Sequence, residues 1–230
     1  SSADRTPPPV KTRVQQWIGR SNWSGTPYLD GQLDDLRIYD RALTAAEVQT
    51  LYESAPPIPL SVSGLALWLD ATDVNGDGQP DSIPPDQPLD YWIDKSNSGK
   101  DANQTVSGFR PTYAVSAFGD RPGIRFASGQ SMLVGTIRAD ADGVHAFVVA
   151  KGAGVGIGAT DGSDGWTVEI KQGSSLSSYK NEYTNIDRVA IGNDPATGYG
   201  QFLGDIAEVL IFDRYLTEAE AQMVEGNLAP

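Results

Sequence analysis

Cysteine is absent from this 230-residue chain, and histidine occurs only once, at position 145. The first absence excludes disulfide staples, thiolate metal sites and cysteine nucleophiles; with a single histidine, a zinc site or a Cys/His dyad has no parts. Basic residues are scarce: 17 Lys and Arg stand against 30 Asp and Glu, for a net charge of -13. A surface so acidic disfavours nucleic acid, whose phosphates need Lys and Arg, and it suits divalent cations and high solubility. No apolar run approaches the roughly 18 residues that span a bilayer, and no signal peptide is visible. The first residue is Ser rather than Met, from which processing or truncation is expected. Blocks of five or more like charges are lacking too, so the acidity is not that of a disordered tail.

What the chain does have is a repeat. Gly31–Gln49 aligns without a gap on Gly204–Gln222, 173 residues later, with nine of nineteen positions identical. Leu33/Ile206, Asp35/Glu208, Leu36/Val209 and Tyr39/Phe212 keep their chemistry, and upstream Ile18-Gly19 faces Ile191-Gly192. Solenoid units repeat every 20–50 residues or so, so this period means duplicated domains. Only the end of the first copy is present. The stretch before the proline-rich Ser54–Leu60 is too short to bury a sandwich core alone.

Each copy reads as a strand followed by a capped helix. Asp34–Tyr39 and Ala207–Phe212 are rich in branched and aromatic residues. The Thr44–Glu47 and Thr217–Glu220 capping boxes then open short helices over 45–53 and 218–226. The second strand carries Leu210 and Phe212 on its outer face, where the first has Arg37 and Tyr39, so that greasier face is expected to be covered by a neighbouring module. Residues 54–60 read as a stiff linker. Beyond it, Gly64–Leu69, Ile124–Phe126, Ser131–Val134, Val144–Ala150, Trp166–Ile170 and Arg188–Ile191 are predicted strands. With 25 Gly and 15 Pro among the turns, and helices only at module ends, the class is all-β, a sandwich or jelly roll.

Leu65-Ala-Leu-Trp-Leu-Asp70, Trp92-Ile-Asp-Lys-Ser96 with Asn103 beyond it, and the tail Gly204–Thr217 together resemble laminin G-like modules. The resemblance implies the concanavalin A-like jelly-roll β-sandwich of large bacterial surface proteins. It divides the chain into 1–53, the closing part of one module; 54–60, a linker; and 61–230, a second module with short C-terminal helices. It also implies that Leu65–Leu69 pairs beside Val209–Phe212. Between Lys151 and Arg188 the sequence departs from the family pattern, so either a trimmed sandwich or sequence absent from the chain as given is expected there, with Gly152–Gly158 read as a turn region.

The sharpest local motif is Asp73-Val-Asn-Gly-Asp-Gly-Gln-Pro-Asp81. Oxygen donors at positions 1, 3, 5 and 9, with Gly at 6, match the start of an EF-hand-type calcium loop. Asp73, Asn75, Asp77, Gln79 (by its carbonyl) and Asp81 are the candidate ligands. Asp86 is the replacement for the missing closing Glu, whose place Pro84 occupies. Trp23, Tyr28, Trp166 and Tyr199 lie in Gly/Ser/Asn-rich segments and are candidates for stacking on sugar rings; Trp68 and Trp92 read as core. No alternating string of carboxylates of the glucanase kind occurs. Asp205 and Glu208 read as surface residues, and His145 as structural.

The expectation is a non-catalytic, secreted or cell-surface module pair, stabilised by calcium, that binds glycans or surface ligands in adhesion. The alternative is a structural subunit of a filament, sheath or surface layer, built by self-association through Leu210 and Phe212. A glucanase comes third.

Overall fold

The computed structural model divides the chain into two compact units, Ser1–Glu53 and Ser54–Pro230. It describes residues 17–20, 25, 28, 38–45, 47 and 48 of the first unit. In the second it describes 58–138, 143–160, 165–172, 176–182, 185–195 and 200–228.

The second unit is almost entirely antiparallel β-structure. Its strands are β1 (Leu65–Asp70), β2 (Tyr91–Trp92), β3 (Ala102–Asn103), β4 (Thr112–Phe118), β5 (Arg121–Phe126), β6 (Met132–Arg138), β7 (Val144–Thr160), β8 (Gly165–Ile170), β9 (Leu176–Asn181), β10 (Asn185–Ile191) and β11 (Leu203–Phe212). Helix α1 is the single turn Ile58–Ser61 and α2 is Glu218–Leu228.

Strand β11 is central to one sheet. β7 flanks it on one side; β1 and β5 share the other, with β4 beyond β5 and β9 beyond the first half of β7. The second sheet runs β2-β3-β6-β10, then the second half of β7, then β8. β7 therefore belongs to both. It crosses at Gly152 and Gly154, at φ +153 and +117, where a Cβ would lie 2.2 Å from the Leu203 carbonyl and 2.1 Å from that of Gln201. Only glycine lets two backbones approach so closely.

Alternation of side chains then builds two apolar layers. Leu67, Leu69, Ala146, Val148, Val209 and Ile211 of the first sheet meet Trp92, Met132, Ile137, Ile157, Val168 and Ile191 of the second. On the first sheet's outer face, Trp68, Phe147, Leu210 and Phe212 form a separate cluster with Leu216, Val224 and Leu228 of the C-terminal segment.

The predicted all-β sandwich is thus found, and β1 pairs β11 from Leu65↔Phe212 to Leu69↔Val209. Three expectations are corrected. Residues 152–158 are not a turn but the middle of β7. The segment to Arg188 is not trimmed, since β8 and β9 complete the sheets. The linker ends in helix α1, because Pro59 sits in a first turn, where its missing N–H costs nothing.

Candidate functional site

After β1 the chain enters the acidic loop, and its conformation follows from side-chain oxygens capturing backbone amides. Asn75 Oδ1 accepts from Asp77 N at 2.9 Å, and Asp77 Oδ1 from Gln79 N at 2.9 Å, giving two successive Asx turns. Asp73 Oδ2 accepts from Gly78 N at 3.0 Å. Asp81 closes the loop on itself, accepting from the amides of Val74 and Asn75 and, at 2.8 Å, from Asn75 Nδ2.

Below the loop lies a buried charge network. Lys95 Nζ bridges Asp70 Oδ2 at 2.9 Å and Asp73 Oδ2 at 3.0 Å, and stands 4.5 Å from the centre of the Trp68 ring. Burial works to lower the Lys95 pKa, but the two carboxylates outweigh it and raise it. Asp94 is buried, which works against its charge. The amides of Trp68, Ser96 and Lys100 and the Ser98 hydroxyl more than offset that, holding it below its ordinary value. Trp68 Nε1 donates to Glu208 Oε1 at 2.8 Å, and Arg121 Nη2 stands 3.4 Å from Glu208 Oε2. Burial, then Asp70, push Glu208 up to about 7 against the pull of Trp68, Arg121 and Lys95.

This network was missed in the sequence, where Glu208 read as a surface residue. The available signal was Trp92-Ile-Asp-Lys-Ser96, whose Asp94 and Lys95 fall between two buried strands' worth of acids.

The calcium expectation can be tested on one atom. Every turn in the loop closes without a cation, yet Asp73 is 2% exposed and its Oδ1 has no hydrogen-bond partner. A buried carboxylate oxygen left over is costly unless a ligand takes it. The all-oxygen donor set fits calcium. Asp73, Asn75, Asp77 and the Gln79 carbonyl would hold the ion, while Asp81 acts first as the brace of the loop. Asp86 is corrected: it is exposed, at φ +59, and approaches Arg125 at 4.0 Å instead. Among the described residues no three His, Cys, Asp or Glu side chains gather as a metal cluster. Beyond the Asp73 and Asp77 carboxylates, the donors available to an ion here are therefore amide and carbonyl oxygens.

Beside the loop is an open groove of about 640 Å³. Thr72, Asp81 and Ser82 line it together with Asp120 and Arg121, and Tyr113, Val115 and three prolines supply apolar surface. Burial, Asp81 and Asp70 raise the Tyr113 pKa, so its phenol stays protonated.

The aromatic candidates separate. Trp166 is buried, stacked on Tyr179 with ring centres 5.6 Å apart, so it is core and not a sugar platform. Tyr28 is exposed, with Arg20 5.7 Å from its ring centre. Trp23 and Tyr199 lie outside the described residues. Leu210 and Phe212 are fully buried beneath α2, which removes them as an intermodule surface. His145 is buried, stacked on Phe147 at 4.3 Å, and burial and then Lys180 bring it down to about 4.

Residues 1–49 match a laminin G family model of the concanavalin A-like lectin/glucanases superfamily. The laminin G-like resemblance is borne out over that span. Among solved structures, a Trypanosoma rangeli sialidase in complex with 2,3-difluorosialic acid (covalent intermediate) is similar at 12% identity and a TM-score of 0.39. The likeness covers 71% of this chain and 33% of the sialidase, so the chain spans about a third of that protein's length. No curated protein matches. Among the described residues no helix is long and apolar enough to cross a membrane.

Proposed function

We propose that this laminin G-like chain is a non-catalytic, calcium-stabilised module pair of the cell surface or secreted space that binds glycans in adhesion. The observation that carries it is the groove beside the acidic loop. Asp81 belongs to both, so an ion that orders the loop also sets one wall of the groove. Carboxylate, hydroxyl and guanidinium groups beside Tyr113, Val115 and prolines match the hydroxyls and C–H faces of a sugar.

Two observations support the non-catalytic part. Both Glu208 oxygens are engaged, by Trp68 and Arg121, and both Asp70 oxygens by Thr72 and Lys95. Neither lines the groove, and of the two carboxyls that do, Asp81 and Asp120, the first is taken up by Val74 and Asn75, whereas glycoside hydrolysis needs a pair free to act together. A structural subunit is the second reading, now supported by the first unit, where Ile18, Ile38 and Tyr39 are exposed.

A glycan array with and without calcium tests the proposal. Binding should need calcium, fall roughly tenfold or more in Arg121→Ala, and stay at the calcium-free level in Asp73→Asn whether or not calcium is added. Calcium should also raise the melting temperature of the wild type and not of Asp73→Asn. Absence of any calcium shift removes the metal; turnover of a β-glucan replaces the lectin reading with a glucanase.

A further inference from the structure

A second surface, on the other sheet, has the makings of a ligand platform that uses none of the groove's residues. Its origin is register. Tyr91 lies directly opposite Asn103, and Asn103 directly opposite Leu133, so one row crosses β2, β3 and β6. Residues directly opposite in a sheet point to the same face. Their neighbours Trp92, Ala102, Met132 and Val134 are buried in the sandwich, so the row itself points outward. Tyr91 is 49% and Leu133 45% exposed. Two strand spacings put these two side chains about 9–10 Å apart.

The row borders a cleft of about 300 Å³, lined by Asn103, Gln104, Thr105, Leu133, Val134 and Gly135. Gly135, at φ +100, leaves open space where a side chain would stand. The amides are held in place. Gln104 Nε2 donates to the Ser131 carbonyl at 2.7 Å while its Oε1 accepts from Val106 N at 3.0 Å, and Asn103 Nδ2 donates to the Asp101 carbonyl at 3.0 Å. On the far side the row continues through Ala190 to Gly158, where the 193–195 turn lies on the sheet. A Cβ on Gly158 would meet the Asn193 carbonyl oxygen at 2.4 Å. The platform is therefore bounded, three strands wide.

Charge decides the occupant. No lining residue ionises, although the chain carries -13. The nearby Asp90 is paired with Arg110 at 3.5 Å. A neutral patch on an anionic protein excludes phosphates and offers nothing to cations. A phenol face, an isobutyl group, two fixed amides and a hydroxyl suit the C–H faces and hydroxyls of uncharged sugars.

We infer that the Tyr91–Asn103–Leu133 row is a contact surface for a neutral polysaccharide chain. The inference rests on the glycan reading for its ligand class but not on the groove.

The test is native electrophoresis of the full chain, with calcium, through gels containing mannan, xylan, galactan or mixed-linkage β-glucan. At least one gel should retard the wild type, with an apparent Kd roughly tenfold weaker in Tyr91→Ala, the order expected for one lost stacking contact. Leu133→Asn is the second variant, and both should melt like the wild type because the positions are exposed. Retardation unchanged in both overturns the inference, even if Arg121→Ala abolishes it. No retardation in any neutral gel also overturns it. The groove reading would then stand or fall on the array's charged glycans, which the gels do not contain.

Discussion

The two tails share their sequence but not their environment. Ile38 is 82% exposed and Tyr39 42%; their counterparts Ile211 and Phe212 are both at 0%. Upstream, Ile18 is 70% exposed and Ile191 is buried completely. Yet the corner that follows is built the same way in both. Thr44 N donates to Glu47 at 2.9 Å and Glu47 N to Thr44 Oγ1 at 3.2 Å; Thr217 and Glu220 do the same at 2.8 and 3.3 Å. Arg41 grips Glu47 as Arg214 grips Glu220. Local hydrogen bonds thus need only the tail's own residues, whereas burial needs the sheets around it. A motif specifies its corner by itself; its strand face is specified by what lies opposite.

The sharpest way to break this comparison is to truncate equivalent aromatic side chains. Phe212→Ala removes a ring packed edge-on against Phe147, with centres 6.0 Å apart, and should cost about 3–5 kcal/mol of unfolding free energy. Tyr39→Ala, at the matching position, should shift the same denaturation midpoint by no more than about 0.5 kcal/mol. Equal losses in urea titrations would mean that Tyr39 is buried in solution and that the two tails are alike after all.

That asymmetry also marks what was legible in the sequence. Alternation in Leu65–Leu69 and Ala207–Phe212 and the Thr-x-x-Glu boxes are local signals, and they gave the two strands and α2 correctly, while the pairing of those strands was implied by the laminin G-like resemblance. The apolar outer face of Leu210 and Phe212 was legible as needing cover, but not that the chain's own α2 supplies it. Gly152–Gly158 looked like a turn because strands seldom contain four glycines. It is a strand crossing between sheets, which only long-range pairing reveals. In the site, the loop's donors were readable from spacing. Lys95, Glu208 and Arg121 were not, because Lys95 and Glu208 are brought to Trp68, and Arg121 to Glu208, from three different strands or loops.

Glu208 gives the next test: the first tail has Asp35 at that position, outside the described residues, and in the second Trp68 Nε1 donates to the carboxyl. Its folded-state value of about 7 lies above the ordinary 4.5. The folded protein therefore holds this proton more tightly than the unfolded chain. Stability from the neutral carboxyl is complete below about pH 4.5 and is lost as pH rises through about 7, for a total on the order of 3 kcal/mol. Glu220 is held down to about 2 by Arg214 and Thr217, so its opposite contribution changes only below pH 4.5, whereas His145, held down to about 4 against an ordinary 6.5, adds stability as pH rises to about 6.5 in wild type and variant alike. Glu208→Gln keeps an acceptor for Trp68 and cannot ionise. Its urea midpoint should gain on the wild type's between pH 5 and 7, by the slope that Glu208 no longer contributes, and cross above it near neutrality. Curves that stay parallel over this range would assign the difference to another group.

The smallest expected difference lies in the shared corner itself. Arg214 does more than bind Glu220: its Nε donates to the Ser63 carbonyl at 3.1 Å and its Nη2 to Ser63 Oγ at 2.9 Å, tying the tail to the residues that lead into β1. Arg41 has only its own corner among these bonds, donating to Glu47 and to the Ala42 carbonyl at 3.2 Å, with its side chain exposed. Arg214→Gln should therefore lower stability by roughly 1 kcal/mol, the worth of a net hydrogen bond or two. Arg41→Gln should leave the melting curve unchanged, since exposed ion pairs contribute little. Amide exchange separates the causes. In Arg214→Gln, faster exchange should reach Asp213, whose N–H donates to the Gly64 carbonyl at 2.8 Å. Loosening confined to α2 would mean that the arginine serves only the helix cap, in both tails alike.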